Sequence, residues 1–98
     1  VAELTRLTGQ LRYALQGPHE PLVAQAVAEL ERLGRYLHPK YRFAAFMAAA
    51  RTPGPKGDRL TALYITRCYR ICHHEYDALE ALDAQIQALE AGDEAPSA

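Results

Sequence analysis

Three proline-bearing interruptions cut this chain into pieces: "GPHEP" at 17–21, "HPK" at 38–40 and "TPGPKG" at 52–57. Proline has no amide hydrogen to donate and pushes the preceding residue out of the helical region, so a helix cannot run through any of them. Between the interruptions the apolar residues recur at steps of three and four, and no stretch alternates as a strand would. Leu4, Leu7, Leu11 and Leu15 predict an amphipathic helix over 2–16, stopped by Gly17 and Pro18. Pro21 suits the first turn of a second helix, whose buried face would be Val23, Val27, Leu30, Leu33 and Leu37. An alanine-rich third helix is expected over 40–51.

The last segment is the longest. Asp58 is placed to cap a helix that would run to about Glu90, with any interruption near His73 and His74. Its seam of Ile65, Cys68, Cys72, Leu79, Leu82, Ile86 and Leu89 follows coiled-coil spacing, broken only at Glu75. The expectation is an all-α fold, a compact helical bundle of four to five helices with a long C-terminal helix. It would form one domain over 1–92 with a polar tail at 93–98.

With 98 residues there is enough chain for one modest core. No apolar run has the roughly 20 residues needed to cross a bilayer, and no signal-peptide pattern opens the sequence, so a cytoplasmic setting without membrane attachment is expected. Two cysteines are too few for a disulfide framework, in keeping with that reducing compartment.

The net charge of −1 conceals a division. Residues 1–70 hold all 11 basic residues and five acids, a balance of +6; residues 71–98 hold seven acids and no Lys or Arg. The cations concentrate in Lys40, Arg42, Arg51, Lys56, Arg59, Arg67 and Arg70, interleaved with Tyr41, Phe43, Phe46 and Tyr69. Cations neutralise phosphates and release counterions, and exposed rings stack on unpaired bases. These residues therefore predict an RNA-binding surface, with the seven cations on the backbone and Tyr41 or Tyr69 stacking. The competing expectation is that the rings are core and the arginines are neutralised by the acidic C-terminal segment.

Two other chemistries have weaker signatures. Cys68 and Cys72 share a helical face next to His73 and His74, a spacing open to zinc or copper, but both fall on the apolar seam, and no second ligand pair follows. No metal or cofactor is expected. Arg67 and His73 loosely fit the arginine–histidine element of the helical HEPN ribonucleases, although Cys68 stands where that family has a polar residue. The opening helices also resemble small copper-sensing repressors, but Pro21 and Leu22 occupy the place of the first cysteine ligand. No catalytic triad, phosphate-binding glycine loop or carboxylate pair is present, and the expectation is a non-catalytic protein.

The order of short motifs resembles that of the small helical subunit of type III-A CRISPR effector complexes. Thr8, Gln10, Leu11 and Arg12 match that family's early "T-x-QLR" element. Leu37, Pro39 and Lys40, followed by "YRFAAFMAAAR" ending at Arg51, match its proline–lysine and aromatic–alanine stretches. The resemblance implies a non-catalytic subunit that contacts guide or target RNA beside larger protein subunits. Opposed charge at the two ends of the chain would let copies stack head to tail, with Leu79, Leu82, Ile86 and Leu89 as the apolar contact. The alternative is a helical homodimer or adaptor that uses that same seam for a protein partner.

Overall fold

The computed structural model describes residues 2–92, so the tail expected at 93–98 lies outside the described residues. Five α-helices and two short 3-10 turns make up the fold: α1 Ala2–Ala14, α2 Glu20–Gly34, α3 Phe43–Ala50, α4 Gly54–Cys72 and α5 Leu79–Glu90. The 3-10 turns, Pro39–Tyr41 and Tyr76–Ala78, precede α3 and α5. The all-α expectation holds, and none of the described residues is in a strand.

Helices α1 and α2 pair as an antiparallel hairpin, α3 folds back on α4, and α5 folds back on the other flank of α4. The result is a plate of 37 × 37 × 17 Å, about two helix layers thick. Its core joins Leu4, Leu7 and Leu11 of α1 to Leu30, Phe46, Leu60, Tyr64, Ile86 and Leu89. Phe46 and Tyr64 meet edge to face at 6.2 Å. The two buried threonines are satisfied within the core, Thr8 donating to the Leu4 carbonyl and Thr61 to that of Ala49.

Two boundaries differ from expectation, each for a local reason. The third helix begins at Phe43, because Pro39–Tyr41 closes a tight turn and Arg42 then adopts φ 52°, in the left-handed region. Helix α4 begins at Gly54, four residues before the expected cap. Pro55 is tolerated in a first turn, where its missing donor has no helical acceptor anyway. Asp58 is thus inside the helix, and its carboxylate bonds Arg12 of α1.

The long C-terminal helix is interrupted where an interruption was expected, at His73 and His74. His74 takes φ 59°. The His74 amide donates to the Ile71 carbonyl at 3.0 Å and the Glu75 amide to that of Arg70 at 2.8 Å. This is a Schellman closure, which satisfies the last carbonyls of a helix through one left-handed residue. The chain then reverses, and Ile86 and Leu89 reach the core beside Tyr64.

One close approach holds the hairpin to the rest, and a second tightens the α3–α4 connection. The Phe43 ring lies where a side chain on Gly34 would be, and the Thr52 carbonyl lies where one on Gly57 would be. Arg12 donates to the carbonyls of Ala50, Thr52 and Gly54 and to Asp58, so one guanidinium ties α1 to the whole α3–α4 connection. A cation over the exposed carbonyls of a helix end is well placed electrostatically.

Candidate nucleic-acid interface

The structure sorts the mid-chain cations into three groups. Arg67 faces inward, with a side chain only 9% exposed. Its guanidinium donates to Asp83 of α5 at 2.8 Å and to the Lys40 carbonyl at 2.7 Å. Arg42 lies 3.9 Å from the same carboxylate and over the Tyr64 ring at 5.7 Å. Tyr64 in turn donates to Glu90 at 2.7 Å, and burial followed by this bond pushes its hydroxyl pKa up to about 12. Arg67 is therefore corrected from a phosphate contact to an internal tie, and Arg42 is largely engaged in the same network. The cause is carboxylates from beyond position 70 meeting arginines of the basic segment within one monomer.

A second group sits where the two 3-10 turns approach each other. The Lys40 ammonium lies 5.8 Å from the Tyr41 ring centroid and 6.0 Å from that of Tyr76. The half-buried Tyr41 shares a hydrogen bond of 3.5 Å with the Cys72 thiol. That bond, with burial behind it, pushes the Tyr41 hydroxyl up to about 12. Tyr41 is engaged on both its face and its hydroxyl, and is corrected from a stacking platform to a packing residue.

The third group is exposed. Along the outer face of α4, Arg59, Ala62, Tyr69 and Arg70 are exposed and Thr66 half-exposed, at steps that keep one helical side toward solvent. Arg59 and Arg70 are separated by about 16 Å along the axis at the usual helical rise. Tyr69 is 41% exposed between them. Arg70 pairs with Glu75 at 2.6 Å, but both side chains are 47% exposed. Such a surface pair contributes about 0–1 kcal/mol, and a phosphate can displace the carboxylate. Lys56, half-buried one turn before Arg59, flanks the stripe. Arg51, at the end of α3, is exposed beside Leu15 and Val23 of the hairpin and stands apart from it. Arg51, Lys56 and Arg59 have no carboxylate partner among the described residues.

The expected protein-contact seam is not on the surface. Ile86 is fully buried and Leu89 is 3% exposed, both in the chain's own core, while Leu79 and Leu82 are half-buried. Along α4 the buried stripe runs through Leu60, Tyr64, Arg67, Cys68 and Ile71, about one position off the expected seam. Cys68 is therefore core, with a thiol raised by burial to about 11, and Cys72 is exposed. No three His, Cys, Asp or Glu side chains are grouped to hold a metal ion among the described residues. His73 is exposed while Arg67 is buried, so the two do not share a surface.

Sequence reasoning placed Arg12 in a motif but missed its tying role, since its partners lie 38 to 46 residues away, a separation that no spacing rule signals. It also missed the exposed Tyr13, Leu22 and Tyr36 of the hairpin. Comparison of the chain with family models, with curated proteins and with solved structures gives no match.

Proposed function

We propose that this chain is a non-catalytic, RNA-binding small helical subunit of a ribonucleoprotein, of the CRISPR effector kind that its motifs resemble. The observation that carries the RNA reading is the outer face of α4, where Lys56, Arg59 and Arg70 accompany the half-open Tyr69 ring. Single-stranded backbone tracks positive charge, and a base set down on Tyr69 gains stacking that tolerates any sequence. The order of the early "T-x-QLR" and proline–lysine motifs supports the CRISPR assignment, in which larger partner subunits supply the chemistry and the guide or target strand is the ligand. No helix among the described residues is long and apolar enough to cross a membrane.

Binding of a labelled single-stranded RNA, followed by anisotropy over a series of salt concentrations, tests this reading. Three to four phosphate contacts predict a log–log slope of about −2 to −3. Arg59→Glu should weaken every sequence alike and flatten the slope by about one phosphate's worth. Binding that is absent, or indifferent to salt, overturns it.

A further inference from the structure

The open side of the α1–α2 hairpin carries a furrow that the RNA reading does not use. Two hollows lie end to end along the helix seam, of about 590 and 250 Å³. The first is bounded by Arg6, Gly9, Tyr13, Leu22 and Ala26, and the second by Glu3, Glu29, Arg32 and Tyr36. On each helix these positions recur at three- and four-residue steps, so they form one continuous stripe. Among the described residues, three of the five most exposed large apolar or aromatic side chains border it: Tyr13 at 62%, Leu22 at 48% and Tyr36 at 84%.

Gly9 lies near the middle of this furrow, and no contact among the described residues requires it. It sits within α1, its φ is not left-handed, and nothing lies within 4 Å of where its Cβ would be. Gly34 and Gly57 differ, since neighbours occupy the space their side chains would need. A glycine inside a helix costs about 1 kcal/mol relative to alanine. A missing side chain on an open helical face does, however, permit another helix to come close.

The charges indicate what approaches. Within the furrow Glu3 and Glu29 balance Arg6 and Arg32. Residues 2–37 as a whole hold four acids and four basic residues. A nucleic acid finds no net attraction there. A twofold contact sets a patch against itself, so it requires a patch that does not repel its own copy. The basic face of α4 fails that condition and the furrow meets it.

We infer that the furrow is a docking surface for a second copy of this chain, related by a twofold axis near Gly9. The α1–α2 hairpins of the two copies would form a four-helix contact, with the Tyr13–Leu22 end of each over the Tyr36 end of the other. From Leu22 on α2 to Tyr36, just past its end, the stripe is about 20 Å long at the helical rise. That is the small end of specific interfaces, so the dimer is weak and concentration-dependent.

Sedimentation equilibrium of the full chain, without nucleic acid and up to about 1 mM, reads the association directly. A monomer–dimer equilibrium is expected, weakened tenfold or more by Gly9→Arg. Thermal melting should show Gly9→Arg folding as well as the parent, because the added side chain enters open space. Leu22→Glu gives the same test from the other wall. A chain that stays monomeric throughout overturns the inference. So does a dimer that survives both variants, or one abolished by Leu82→Lys and indifferent to Gly9→Arg.

Discussion

Arg67 and Asp83 stand 16 residues apart in sequence and meet at 2.8 Å across the α4–α5 junction. The same arginine holds the Lys40 carbonyl, so one buried guanidinium fastens α5 and the turn before α3 to a single point on α4. What reads in sequence as a basic middle and an acidic end is, at this point, an internal joint.

Asp83→Asn should therefore destabilise the fold sharply. The change leaves the Arg67 charge buried with only a carbonyl and an amide oxygen as partners. Breaking a buried pair from one side costs about 3–5 kcal/mol, and the partial exposure of Asp83, 31%, argues for the lower end. Urea unfolding gives the value, and a loss below about 1 kcal/mol would show that the pair is not holding α5.

Gly57→Ala is expected to cost about 3 kcal/mol or more, because the new methyl meets the Thr52 backbone carbonyl and the Arg12 guanidinium. Gly34→Ala should cost less, since its obstacle is the half-buried Phe43 ring, which can rotate away. Melting temperatures of the two variants, compared with the parent, should fall in that order. Equal melting temperatures would mean that the α3–α4 connection gives way as easily as a side chain.

Stability should decline on the alkaline side. The folded chain holds Cys68 protonated up to about 11, against an ordinary 9.0, and Tyr64 up to about 12, against 10.0. Both pKa values are raised by folding, so the unfolded chain loses these protons first. The contribution is fully present below about pH 9 and is lost as pH rises through 11 to 12. The melting temperature should drop by at least about 5 °C between pH 8 and pH 11. Tyr64→Phe should shrink the drop, and a flat profile would contradict the burial of both groups.

Thiol labelling separates the two cysteines. Cys72 is exposed at the end of α4 and should react in the folded protein, whereas Cys68 is 2% exposed, with its thiolate disfavoured. One thiol per chain should titrate rapidly in native buffer and a second only in denaturant. Two fast thiols would place Cys68 outside the core.

The helical segments and their stops, though not the starts of α3 and α4, were legible from local pattern. The Leu4–Leu7–Leu11 spacing, the stop at Gly17–Pro18 and the weak point at His73–His74 all depend on interactions within a few residues, which sequence order specifies directly. Along α4 residue type favours a seam through Ile65, Cys68 and Cys72, whereas the buried stripe runs through Tyr64, Arg67, Cys68 and Ile71, set by where α3 and α5 pack. That packing leaves Cys72 exposed and puts Arg67 inside. Which cations stay open to a partner was decided by the tertiary structure alone. Arg12, Arg42 and Arg67 look like Arg59 in sequence; they differ only in whether folding brings a carboxylate or a carbonyl from a distant segment within reach. Charge pairing across 16 to 46 residues follows from how helices pack, and no local spacing encodes it.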